Sequence, residues 1–219
     1  MSEELAALAK DIADRMHTLL FKYIYRFAYR VCSDLGDVSL CDRVNISLVE
    51  SFTDKYGEEA GAFIGAYSKY ENEVGIAYDI PEDLALSGAV CHGIAHELRH
   101  AKDAETMGKE RYDGRYIEYS MRYGYIRNPF EVRAEEFGSR YVGTRLCRAV
   151  TYLYLAFTRF LMGCKSYDEG DIENFITFMT VSMESLKEFS GLKYIDREDR
   201  HTVRELIRDI EKLVSELTS

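Results

Sequence analysis

Three histidines recur at four-residue steps in His92-Gly93-Ile94-Ala95-His96-Glu97-Leu98-Arg99-His100. The last two frame a His-Glu-x-x-His pattern. In a helix, side chains four apart lie one above the other on the same face, so His96 and His100 can address a single ion. Glu97 projects beside that pair and is placed to take a proton from a metal-bound water rather than to bind the metal. It is the candidate general base. A catalytic zinc takes three protein ligands and keeps a fourth position open, so a further carboxylate or imidazole is needed on another element. Asn128-Pro129-Phe130-Glu131-Val132-Arg133-Ala134-Glu135 supplies it. Asn128 suits a helix cap and Pro129 a first turn, which sets Glu131 and Glu135 on one face of a new helix.

The paired motifs, His96-Glu97-x-x-His100 followed by Glu131-x-x-Ala134-Glu135, resemble those of the gluzincin metallopeptidases, the broad thermolysin-like clan with many small, minigluzincin-like members. The resemblance covers about residues 60–145 and is specific only at the two motifs. It implies Zn²⁺ held by His96, His100 and Glu131. It also implies that Glu135, where the clan more often has Asp, orients a ligand histidine by accepting its other ring N–H. The metzincin continuation would need Gly at 103 and His or Asp at 106, where this chain has Asp103 and Thr106. His92, a full turn before His96, reads as a packing or hydrogen-bonding side chain rather than a ligand.

These residues need elements to position them. Pro81-Glu82-Asp83 opens a helix expected to run through the His pair to about residue 106. Its Gly93 costs about 1 kcal/mol of helix propensity relative to Ala and suggests close approach by a neighbour. Before it, Val44–Val49, Ala62–Ser68 and Val74–Tyr78 read as strands, the last two joined as a hairpin through 69–73. In the gluzincin resemblance one edge strand of such a sheet pairs with extended substrate, a role open to part of 62–78. Tyr112, Tyr116, Tyr119, Tyr123 and Tyr125 fall between the two motifs. Any of them could donate a hydrogen bond to a developing oxyanion, and Tyr123 and Tyr125 lie nearest the third ligand in sequence. From Glu131 to about Gly163 the pattern is helical and increasingly apolar. An amphipathic helix over about 3–33 and two more over about 171–189 and 197–218 complete the chain. The expected fold class is therefore α+β and helix-rich: a small mixed sheet on the metal helix, then a Glu-bearing helix and C-terminal helices. It is read as one domain over 1–219, with an N-terminal helix (1–36), a metal-site core (44–145) and a helical extension (146–219).

Composition narrows the function classes. The chain has 219 residues, 47% hydrophobic and 30% charged, with a formal net charge of -10. That balance is ordinary for a globular protein and lacks the basic footprint of a nucleic-acid binder. The acidic start, Met-Ser-Glu-Glu, is unlike a secretory signal, and the most apolar stretch, Ala149 to Gly163, is too short to cross a bilayer and contains Arg159. A cytoplasmic protein without membrane or nucleic-acid partners is expected, acting on a peptide or protein, with its C-terminal helices available for homo-oligomer contacts. Five cysteines with no Cys-x-x-Cys pair speak against a second zinc site or a secreted disulfide framework. The absence of Gln and Trp, with only four Asn, is a thermophile-like bias, and in a hyperthermophile a Cys32–Cys41 bridge inside the cell is compatible. The leading reading is a zinc metallopeptidase with Glu97 as base. The alternative is a non-catalytic zinc-binding regulatory or interaction module on the same fold.

Overall fold

The computed structural model describes residues 2–49, 65–69 and 71–218. It is helix-rich α+β with a small three-stranded mixed sheet. In chain order the described elements are α1 (Glu3–Asp34), α2 (Leu40–Arg43), β1 (Asn45–Val49), β2 (Gly65–Ser68), β3 (Glu73–Ala77), α3 (Glu82–Leu86), α4 (Ala89–Met107), α5 (Lys109–Tyr123), α6 (Pro129–Ser139), α7 (Arg145–Asp168), α8 (Ile172–Gly191) and α9 (Arg197–Leu217). They gather into two compact units, Tyr25–Cys147 and Met1–Ile24 with Arg148–Ser219. The first contains every candidate site residue.

In that unit the sheet order is β1-β3-β2. β1 runs parallel to β3, with Ile46 beside Val74 and Leu48 beside Ile76. β2 and β3 form the expected antiparallel hairpin, Tyr67 opposite Val74. Residues 62–64 of the expected second strand lie outside the described residues. Asn72 turns the hairpin with φ +52°, a conformation Asn tolerates better than most residues. Its side-chain oxygen accepts from Lys109 Nζ at 2.7 Å, which ties the turn to the start of α5. β3 is central and mostly buried, and β2 and β3 pack against α4. The apolar face of α4, Val90, Cys91, Ile94, Ala95, Leu98 and Ala101, is buried, so its His-bearing face is directed elsewhere. A disulfide joins Cys32 to Cys41.

Two expected helices are broken where the sequence reading ran them on. The one from Pro81 stops at Leu86, and α4 begins afresh after Gly88, whose φ is +94°. Only a residue without Cβ takes that conformation freely, and a Cβ there would also meet Val142 at 3.1 Å. The helix from Glu131 likewise ends at Ser139. The chain turns through Gly143 at φ +74° before α7 begins, and the turn is anchored by the buried Tyr141, whose hydroxyl donates to Asp34 at 2.9 Å. Both breaks are set by backbone conformation and tertiary contact, which apolar periodicity does not report. The tyrosine-rich stretch forms α5, bounded by Gly108 (φ +84°) and Gly124 (φ +78°).

The other unit is built of helices. Its part of α1 buries Ile12, Met16, Leu20, Tyr23 and Ile24, α8 buries Phe175, Met179, Leu186 and Phe189, and α9 buries Val203, Leu206, Ile210 and Leu213. Tyr23 meets Phe189 edge to face at 5.1 Å. Its hydroxyl donates to the buried Asp199 at 2.8 Å, and the same carboxylate takes Lys22 Nζ at 2.5 Å. Among the described residues no helix is long and apolar enough to cross a membrane.

Candidate metal centre

The site lies where α4 and α6 pack on each other. α6 starts where the sequence places it: Asn128 caps it by accepting from Phe130 N at 3.0 Å, and Pro129 follows. Asn128 is fully buried, and its amide nitrogen also donates to the Tyr116 carbonyl at 3.1 Å and to Ser120 Oγ at 2.8 Å. One side chain thus fixes the first turn of α6 against α5. Glu131 follows in that turn.

His96, His100 and Glu131 converge. Both histidines turn Nε2 inward, 3.0 Å apart. Glu131 Oε2 lies 3.2 Å from His96 Nε2, and Oε1 lies 3.2 Å from His100 Nε2. The three groups can hold a metal ion. Tetrahedral zinc with ligand bonds of about 2.0–2.2 Å needs donor atoms about 3.3–3.5 Å apart, so the triangle fits after a small opening. Among the described residues no fourth His, Cys, Asp or Glu joins this trio.

Glu97 is buried beside the triangle, its Oε1 4.0 Å from His96 Nε2. The Tyr67 backbone N–H on β2 favours its charged form. Strand and carboxylate meet closely because residue 65 is Gly: a Cβ there would sit 3.3 Å from Glu97 Cγ. Burial pushes the Glu97 carboxyl above its ordinary range, against the pull of His100 and His96. For His96, burial works to lower the ring pKa, but the Glu131 hydrogen bond and the charges of Glu97, Glu131 and Glu135 outweigh it and raise it. At Glu131 burial acts upward and is outweighed by hydrogen bonds from His100, His96 and Tyr116, which hold the carboxyl well below the usual range. A negative, hydrogen-bonded carboxylate facing two imidazoles is a suitable donor set for a divalent cation.

The outward nitrogens have their own surroundings. His100 Nδ1 lies 2.8 Å from the Tyr112 hydroxyl. With Nε2 on a metal, Nδ1 carries the proton and donates to that phenol oxygen. His96 Nδ1 is buried without a hydrogen-bond partner, as is His92 Nε2. Glu135 reaches toward both, 3.8 Å from His96 Nδ1 and 3.3 Å from His92 Nε2. These separations meet the ion-pair distance but lack hydrogen-bond geometry, and the Glu135 side chain is 64% exposed. His92 and Glu135 thus form a second His-His-Glu group that shares His96, but they address its Nδ1, not the nitrogen in the triangle.

Two tyrosines that sequence reasoning could not separate from their neighbours sit directly on the ligands. Tyr112 meets His100, and Tyr116 donates to Glu131 Oε1 at 2.5 Å. Tyr125, nearer in sequence, is exposed at the backbone turn yet lies against Glu131, and burial, then Glu131, raises its phenol pKa. The signal for the first two was present: Tyr112 and Tyr116 are one helical turn apart, as are His96 and His100. The helix that carries them was not assigned from the sequence. No protein-family model, curated protein or solved structure matches the chain.

Proposed function

We propose that this protein is a zinc-dependent peptidase of gluzincin type, with His96, His100 and Glu131 as ligands and Glu97 as general base. The observation that carries the reading is the asymmetry of the trio. Three protein donors converge, no fourth joins them among the described residues, and a buried carboxylate stands next to them without being one of them. Structural zinc sites usually close with four protein ligands, whereas catalytic ones keep a position for water or substrate. Zinc in this setting supplies Lewis acidity and a water that ionises near neutral pH.

The chain's own residues then divide the task. Glu97, with a pKa raised by burial, accepts a proton from the attacking water and passes it to the leaving amine. The close approach of Gly65 to Glu97 sets the base against β2, one of the two outer strands of the described sheet. An extended peptide adding to β2 by strand pairing would run past the base. The regulatory alternative would be favoured by a fourth protein ligand, but His92 and Glu135, the nearest candidates, face the other nitrogen of His96.

Glu97→Gln tests the assignment. The variant is expected to retain about one zinc per chain by elemental analysis and to lose peptide hydrolysis. Wild-type turnover in that variant would remove Glu97 from the role. Failure of the wild type to retain zinc after loading, or zinc retention unchanged in both His96→Ala and Glu131→Ala, would remove the metal site itself.

A further inference from the structure

The Glu131 carboxylate straddles the two imidazoles, one oxygen 3.2 Å from each Nε2. On geometry alone either oxygen, or both, can bind an ion placed between the rings. Gripping with both while water is bound would make the ion five-coordinate and crowd the position that hydrolysis needs for water. Of the two oxygens, Oε1 accepts the Tyr116 hydroxyl at 2.5 Å; the Tyr125 phenol also lies against the carboxylate. We propose that Tyr116 is a positioning residue that makes Glu131 a one-oxygen ligand, through Oε2, and so keeps the fourth coordination position free. The proposal rests on the reading of His96, His100 and Glu131 as a metal centre.

The phenol can do this for two reasons. A short O–H···O⁻ bond to an ionised acceptor is among the stronger hydrogen bonds in proteins. It occupies a lone pair of Oε1 and draws charge from it, which leaves Oε2 the better donor. The phenol is also held in place. The Tyr116 ring lies nearly parallel to Phe130, centroids 6.2 Å apart at 23°, and meets His100 edge to face at 6.2 Å. Its backbone carbonyl accepts from Asn128, three residues before Glu131 itself. Donor and acceptor are therefore tied to the same buried amide.

The cobalt(II)-loaded full chain provides the test, because tetrahedral cobalt absorbs visible light more strongly than cobalt of higher coordination number. Tyr116→Phe removes the hydroxyl and leaves the ring packing. It is expected to bind one cobalt per chain with a visible absorption severalfold weaker than wild type, as Glu131 closes on the ion with both oxygens. Tyr112→Phe, which removes the neighbouring phenol from His100 instead, is expected to keep the wild-type intensity. An unchanged spectrum in Tyr116→Phe overturns the proposal, as does an equal loss of intensity in both variants. If Tyr116→Phe takes up no cobalt, X-ray absorption on the zinc-loaded variant decides: a five-coordinate shell supports the proposal and a four-coordinate shell refutes it. A wild type that binds neither metal refutes the metal centre as well.

Discussion

Replacing Gly138 by Ala separates the packing of the site from the propensity of the helix that carries it. Gly138 lies near the end of α6, buried against α4. A Cβ built there falls 2.9 Å from the His92 carbonyl oxygen and 3.0 Å from His92 Cδ2 and Nε2. The ring can turn aside, but the carbonyl belongs to the α4 backbone and cannot. Restoring an ordinary contact of about 3.4 Å requires α6 to back away by roughly half an ångström, at an overpacking cost of about 1–3 kcal/mol. Against this, Ala gains about 1 kcal/mol over Gly in a helix. The net expectation is a loss of about 1 kcal/mol. Glu131 lies seven residues, or about 10 Å along the same helix, from the clash, so part of the retreat reaches the triangle and zinc affinity falls about tenfold, at the low end for disturbed ligand support. Urea unfolding of the metal-free protein and chelator competition for zinc measure the two effects. The signs are opposed by design: if the approach at Gly138 is looser than described, Gly138→Ala gains stability from propensity and leaves zinc affinity unchanged, and that pair of results refutes the reasoning.

Tyr112→Phe deletes the phenol oxygen 2.8 Å from His100 Nδ1. It is expected to weaken zinc binding about 10–100-fold in chelator competition, with the coordination number retained. Cys32→Ser with Cys41→Ser opens a bridge between residues nine apart. Chain entropy assigns such a loop about 2.5 kcal/mol, read as a lower urea midpoint that added reductant does not lower further, whereas reductant lowers the wild-type midpoint.

Much of this architecture was legible in the residues because it rests on local rules. The helical step placed His96 and His100 together, the Asn128-Pro129 start placed Glu131 in a first turn, and alternation located β1 and β3. The expected second strand was only partly testable, since 62–64 lie outside the described residues. What escaped depends on contacts distant in sequence. The tight approach of Gly138 on α6 to the His92 backbone on α4 had no signal in the residues. Periodicity ran two helices through Gly88 and Gly143, whose positive φ lies in the breaks after Leu86 and Ser139. It also gave no reason to prefer Tyr112 and Tyr116 over other tyrosines, because their importance lies in which ligand atoms they face. The Cys32–Cys41 bridge, compatible with the sequence only under a thermophile-like bias, is present.

The facing patterns on α4 and α6 explain why these escaped contacts decide the chemistry. His92, His96 and His100 step along one helix by single turns, and Glu131 and Glu135 step along the other. The carboxylates meet the histidines in reverse order: Glu131 lies by His100 and His96, and Glu135 by His96 and His92. A ladder of this kind places His-His-Glu groups at two adjacent levels, so residue spacing alone does not single out one of them. The surroundings do. At the inner level His100 has Tyr112, Glu131 has Tyr116, and Glu97 stands buried alongside. At the outer level Glu135 is largely exposed and two ring nitrogens lack hydrogen-bond partners. Desolvation and fixed donors strengthen electrostatic interactions at the inner level, whereas exposure weakens them at the outer. The ladder therefore supplies the donor groups, and α5, through Tyr112 and Tyr116, distinguishes the level at which they could hold a metal ion.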